Sequence, residues 1–148
     1  MSAPFVVAYV ALGSNIDSPA EQVGKAFREL DEIQGIRVIA RSSLYRTAPV
    51  GYVDQPDFIN AVAKVETALG ARKLLDALFA IERAHGRSRE FRNAPRTLDL
   101  DLLLHGDHVI AEPGLTIPHP RLHERAFVLV PLKEIAPKVN IPGYGEVA

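Results

Sequence analysis

The sequence predicts an α+β fold, a mostly antiparallel sheet flanked by helices on a split βαβ plan. Three observations lead there. Val23, Phe27, Leu30 and Ile33 recur at helical spacing, and so do Leu74, Leu78, Ile81 and His85. Each set follows a segment that is apolar or alternates like a strand. The resulting order is strand, helix, strand, strand, helix, strand, then an extra hairpin and a C-terminal helix, which is the ferredoxin-like arrangement. No internal repeat or linker interrupts it, so residues 1–148 read as a single domain.

Taken in order, Phe5–Leu12 is mostly apolar and reads as a central strand. Ser18, Pro19 and Glu21 form a helix-start signature, a cap and capping box with proline at the first helical position, and Gly35 closes that helix. Residues 36–46 alternate loosely and read as one strand. Residues 47–57 carry two prolines and a glycine and read as a loop, and residues 58–66 alternate again as a third strand. The second helix ends at Gly86. An arginine-rich loop runs on through Pro95, and Leu98–Leu104 is a strong strand. His105-Gly106-Asp107-His108 reads as a tight hairpin turn into Val109 and Ile110. Pro118 and Pro120 break the next segment, and residues 125–135 read as a helix with Pro131 near its start or at a kink.

Hydrophobic residues make up 47% of the chain and charged residues 24%, the balance of a globular protein. No apolar run is long enough to span a bilayer, and the apolar start lacks a positive n-region, so neither a membrane partner nor a signal peptide is expected. The chain has no cysteine, which excludes disulfides and thiolate metal sites and allows a cytoplasmic location. A net charge of -1 differs from the basic face of a nucleic-acid binder. The charge is uneven, however. Arg83, Arg87, Arg89, Arg92 and Arg96 lie close together with only Glu90 against them, a local field suited to a small anion.

The sharpest chemical feature is Arg96-Thr97-Leu98-Asp99-Leu100-Asp101-Leu102. In a strand Leu98, Leu100, Leu102 and Leu104 share an apolar face, and Asp99 and Asp101 stand on the other about 7 Å apart. Two carboxylates so close repel unless a cation sits between them, and Mg²⁺ binds through one or two carboxylates plus substrate phosphates. Alone, the pair fits an edge strand with solvated aspartates equally well. The arginines of the preceding loop tip the balance, because guanidinium forks match phosphate oxygens and phosphoryl transfer relies on positioned cations. Phe58 and Asn60 share a strand face and suit a planar heterocycle, one by stacking and one by edge hydrogen bonds, although core packing would explain them too. Glu82 follows Leu75 and Phe79 on an apolar stripe and needs a partner, for which the nearby arginines are the expectation. His119 is held between Pro118 and Pro120, as a structural residue or a ligand contact. No Walker A loop, dinucleotide fingerprint or nucleophile elbow is present.

These residues fall into blocks that resemble the 6-hydroxymethyl-7,8-dihydropterin pyrophosphokinases of folate synthesis nearly end to end. The blocks are residues 11–15, 45–47, 54–60, 81–82, 86–87, 94–101, 117–119 and 125–127. The resemblance implies that Mg-ATP donates its β,γ-pyrophosphate to the pterin hydroxymethyl oxygen, leaving AMP. It implies two Mg²⁺ ions on Asp99 and Asp101, and a triphosphate gripped by Arg87 and Arg96 with His119 and Arg125 assisting. Leu75, Glu82, Arg89, Leu102 and Thr116 would complete the ATP site. Phe58 and Phe127 would sandwich the pterin, while Gly13, Thr47, Pro49, Val50, Asn60 and Asp99 would surround it. Some members carry a tryptophan near the position of Asn93 and a tyrosine after the histidine, whereas this chain has no tryptophan and has Pro120.

The partners expected are therefore ATP and the hydroxymethyl pterin alone, with no nucleic acid and the chain acting as a monomer. A two-metal nucleic-acid enzyme and a non-catalytic ligand-sensing module are the rival functions for this architecture. The loop from Gly86 to Pro95 has few apolar anchors and several like charges, which predicts a lid that closes on ATP.

Overall fold

A computed structural model of the chain describes residues 5–15, 18–48, 56–85, 98–120, 122, 125–143 and 145–146. Residues 6–14 form β1 (Val6–Ser14), which lies at the middle of the main sheet because almost all of it is buried. Helix α1 (Pro19–Glu32) follows, then β2 (Ile36–Arg41), β3 (Tyr45–Thr47), β4 (Phe58–Thr67), α2 (Ala71–Ala84) and β5 (Asp99–His105). The main sheet has the order β2-β4-β1-β5, with β3 also paired to β4, and every pairing is antiparallel. This is the split βαβ plan predicted from the element order, with helices on its faces. The extra elements are a hairpin of β6 (Ile110–Glu112) and β7 (Leu115–Ile117), helix α3 (Ala126–Ile135), and a short pair, β8 (Asn140–Ile141) with β9 (Gly145–Glu146). Among the described residues no helix is long and apolar enough to cross a membrane.

The sheet is covered on both sides. Ala8, Val10, Leu12, Ala61, Ala63, Val65, Leu98, Leu100 and Leu102 face α1 and α2, whose Val23, Phe27, Leu30, Leu74, Leu78 and Ile81 complete that core. Tyr9, Ala11, Val62, Leu103 and Leu104 face α3 and pack on Val128 and Leu132. The α3 face is only partly filled by these apolar residues, and its polar remainder becomes the candidate site.

Several local expectations are corrected. Ser18 occupies the N-cap of α1 but with φ 62°, and its side chain makes no cap bond. The Gln22 N–H instead donates to the Ser18 carbonyl, so the capping box does not form as read. The strand expected over 36–46 is two strands broken at Ser42-Ser43-Leu44. Ser42 causes the break: its hydroxyl accepts the Val62 N–H at 2.9 Å and donates to the Ser43 carbonyl, replacing regular ladder bonds. Leu104 does not share the face of Leu98, Leu100 and Leu102. Tyr9 pairs with Leu104 and Val10 with Leu102, so Leu103 is an inserted residue that shifts the alternation. Phe79 is exposed and leaves the stripe of Leu75 and Glu82. Finally, the turn after His105 forms, but β6 pairs forward with β7 and not back with β5.

One carboxylate ties the break in the sheet to the helix below. Glu134 of α3 accepts from the Ser43 N–H at 2.9 Å, the Ser43 hydroxyl at 2.8 Å and the Tyr45 hydroxyl at 2.7 Å. These donors hold its carboxyl below the usual carboxylate range, the Tyr45 hydroxyl contributing most. Stability from a carboxyl lowered in the folded state is present above its unfolded pKa and lost as pH falls through the folded one. Glu134→Gln is therefore expected to lower the denaturation midpoint at neutral pH, with the gap to wild type narrowing below about pH 4. Urea titrations across that range check it, and a gap that widens in acid would overturn it.

Candidate functional site

The site is set by pairing register. Gly13 of β1 is opposite Asn60 of β4 on one side and Asp99 of β5 on the other, and Tyr45 of β3 is opposite Asn60. Cross-strand partners share a face, so Tyr45, Asn60, Gly13 and Asp99 form one row across four strands. The next row places Asp101 against Ala11 and Val62. Ala11 and Val62 belong to the α3-side core, which fixes both aspartates on that face. The alternation expected from the sequence therefore holds over Leu98–Leu102.

Each polar group in the row is oriented by a neighbour. The Asn60 amide, 6% exposed, donates to the Thr47 hydroxyl, joining β4 to β3. A side chain at Gly13 would put its Cβ 2.9 Å from Asn60 Oδ1, so Asn60 holds this position only because residue 13 has none. Asn15 donates to the Pro56 carbonyl at 3.1 Å and ties the end of β1 to the entry of β4. Phe58, two residues before Asn60, lies on the same face, and Phe127 packs from α3 against the core of that face.

Beyond the row, the segment after β7 runs along β5. The His119 N–H donates to the Leu103 carbonyl at 3.0 Å. This brings His119 Nε2 to 3.9 Å and Arg125 Nη1 to 3.7 Å from the Asp101 carboxylate oxygens. The Arg125 guanidinium also stands 5.5 Å over the Phe127 ring. Arg125 and His119 thus stand beside Asp101, all three partly open to solvent.

The remaining predicted residues divide in two. Leu75, Glu82 and Leu102 are buried on the α1/α2 side of β5, and Thr116 is exposed on β7. Leu75, Glu82 and Leu102 stand on the other face of the edge strand β5 from Asp99 and Asp101. Glu82, 2% exposed, accepts the Leu100 N–H at 2.7 Å; this backbone bond was not anticipated beside the expected arginines. Pro49, Val50, Arg87, Arg89 and Arg96, with the predicted lid over 86–95, lie outside the described residues. Sequence reasoning missed Asn15 and Glu134. The first entered only as the end of the block 11–15, with no role of its own, and the second carries no motif.

Among the described residues no three His, Asp or Glu side chains gather into a metal cage. Two hard carboxylates on one strand face nevertheless fit Mg²⁺, which keeps water and substrate ligands.

The family model for 7,8-dihydro-6-hydroxymethylpterin-pyrophosphokinase matches residues 9–137. The chain is 47% identical over 137 residues to the 2-amino-4-hydroxy-6-hydroxymethyldihydropteridine pyrophosphokinase of Haemophilus influenzae, covering 93% of this chain and 86% of that one. With the enzyme of the same name from Pseudomonas aeruginosa it shares 47% over 134 residues, covering 90% and 83%. A crystal structure of Plasmodium falciparum HPPK-DHPS with pteroate superposes with a TM-score of 0.75 at 15% identity and shares the fold. It covers 98% of this chain, which spans 42% of that longer protein.

The tightest contact gives the test. Gly13→Ala is expected to push the Asn60 amide off Thr47 and weaken binding of a pterin, the heterocycle implied by the sequence blocks, about tenfold, the worth of one misplaced hydrogen bond. Calorimetry with 6-hydroxymethylpterin measures it. An unchanged affinity would show that the row of Asn60 and Gly13 does not meet the ligand.

Proposed function

The chain belongs to the 7,8-dihydro-6-hydroxymethylpterin-pyrophosphokinase family, and we propose that the polar row on the α3 face of its sheet is where it performs that family's reaction. The reaction is transfer of a pyrophosphoryl group from ATP to hydroxymethyldihydropterin in folate biosynthesis. In atoms, the hydroxymethyl oxygen bonds to the β-phosphorus, and the bond from that phosphorus to the α,β-bridging oxygen breaks. The hydroxyl proton passes to solvent, and AMP leaves with the bridging oxygen. The rival nucleic-acid and ligand-sensing functions have no support beside this family membership and the near-neutral charge.

The observation that carries the placement is the row of Asn60, Gly13 and Asp99, which sets an amide, a residue without a side chain and a carboxylate in one line. In this reading Asn60 and Thr47 read the pterin edge, with Pro49 and Val50 from the adjoining loop. Phe58 and Phe127 bound its two faces, and Gly13 lets the Asn60 amide keep its place under the pterin edge. The hydroxymethyl arm then points along the row toward Asp99. Asp99 and Asp101 would hold two Mg²⁺ ions, which supply charge neutralisation and alignment for the phosphate oxygens.

Arg125 and His119, held beside Asp101, would take the outer phosphates, with Arg87, Arg89 and Arg96 as further ATP-binding residues. Leu75, Glu82, Leu102 and Thr116 would meet the nucleotide where it wraps the β5 edge. Residues 1–148 would act as one domain and as a monomer in the cytoplasm.

Two measurements test this. Incubation with Mg-ATP and hydroxymethyldihydropterin is expected to yield AMP and the diphosphorylated pterin in equal amounts. ADP with a singly phosphorylated pterin would contradict it. Asp99→Asn and Asp101→Asn are each expected to cut kcat at least roughly a hundredfold at saturating Mg²⁺ while leaving the thermal midpoint nearly unchanged. Near-wild-type turnover in either variant would remove that carboxylate from the metal role.

A further inference from the structure

The turn that ends β5 is packed and polar, and the pyrophosphokinase reaction makes no use of it. His105, the last residue of the strand, is 3% exposed. Its Nε2 lies 2.9 Å from the Leu69 carbonyl oxygen. A carbonyl only accepts, so Nε2 carries the hydrogen and the lone pair of the neutral ring sits on Nδ1. That nitrogen faces His108 Nδ1 at 2.8 Å, and the two rings stack with centroids 5.0 Å apart and planes 25° apart. The rings therefore come together at their nitrogen side.

The backbone fixes this approach. Gly106 has φ 58°, and the His108 N–H donates to the His105 carbonyl at 3.1 Å. The Gly106 N–H donates to the Val7 carbonyl at 2.8 Å, and a Cβ on Gly106 would meet Val6 at 2.9 Å. The turn is thus seated on β1.

We propose that His105 and His108 form a binding site for a divalent transition metal of the copper(II) and nickel(II) class. Metal–imidazole bonds run about 2.0–2.1 Å. The 2.8 Å spacing is that of the hydrogen bond between the rings, so the exposed His108 ring turns on binding to let both lone pairs converge, and copper(II) and nickel(II) stand high in the affinity order for imidazole nitrogen. The bond from His105 Nε2–H to the Leu69 carbonyl is the outer-shell contact that orients a metal-ligating histidine. Without metal, His108 Nδ1–H donates to His105. On binding, the His108 proton moves from Nδ1 to Nε2 through solvent, so both Nδ1 lone pairs meet the ion with no net loss of charge. Since no third such ligand converges among the described residues, water completes the shell. Asp101 is four residues back along the strand, about 13 Å away, so the two sites are separate. Their donors also differ, with oxygen for Mg²⁺ there and imidazole nitrogen here.

The test uses the full chain with excess Mg²⁺, which covers the aspartates. Titration with CuCl₂ and NiCl₂ in a non-chelating buffer compares wild type with His108→Ala, a change at an exposed turn position. Wild type is expected to bind one equivalent, with copper(II) tightest, and His108→Ala to bind roughly tenfold or more weakly. Substoichiometric copper(II) is expected to broaden amide resonances of residues 104–110 first. Equal affinity in the variant would overturn the site, and so would broadening centred on Asp99, Asp101 and His119. Either result leaves the two histidines as a hydrogen-bonded pair only. Pyrophosphokinase activity with Mg-ATP is expected to be the same in both proteins, which confirms that the variant is folded.

Discussion

Everything at the site depends on β1 being held in register by two neighbours at once. Its pairing with β4 and β5 aligns Asn60, Gly13 and Asp99, three residues from distant parts of the chain. A slip of one residue on either side would turn the amide or the carboxylate into the opposite core. That core is apolar and closely filled by α1 and α2, so the slip is strongly disfavoured. Burial on one face thus supplies the precision of the chemistry on the other.

The second requirement is that the edges of this arrangement do not fray. β5 is an edge strand, and edge backbone needs partners other than the ladder. Glu82 supplies one from α2 by taking the Leu100 N–H, and the His119 N–H uses the Leu103 carbonyl. On the far side Glu134 gathers Ser43 and Tyr45, and through them places β3 and its Thr47. Bonds to a charged carboxylate are worth more than neutral ones. Two glutamates at opposite ends of the row therefore hold strands that short ladders alone would hold weakly.

Much of this was legible in the sequence because it rests on period. The 3.6-residue pattern placed both main helices, and the two-residue pattern of Leu98–Leu102 put the aspartates on one face. Period fails where a single residue is inserted. Leu103 looks like any other leucine, yet it breaks the alternation because Tyr9 and Val10 skip it. Ser42 likewise offers no apolar signal, although its hydroxyl decides where the second strand stops. Long-range polar bonds were the least readable. Glu134 and Ser43 are 91 residues apart, and nothing local marks either as the other's partner. The capping signature at Ser18 shows the converse, a local pattern overruled by backbone geometry.

The alternation on β5 ties two properties together. Leu98, Leu100 and Leu102 are core residues, and Asp99 and Asp101 are their immediate chain neighbours. Any repacking beneath the leucines will tilt or translate the strand and carry both carboxylates with it. Adaptation to a hotter or colder habitat, which usually proceeds by many small core changes, would therefore be filtered by cation affinity at this strand. Variants of this chain should drift more freely under α1 than under β5, and thermostabilising substitutions are best sought away from the leucines of that strand.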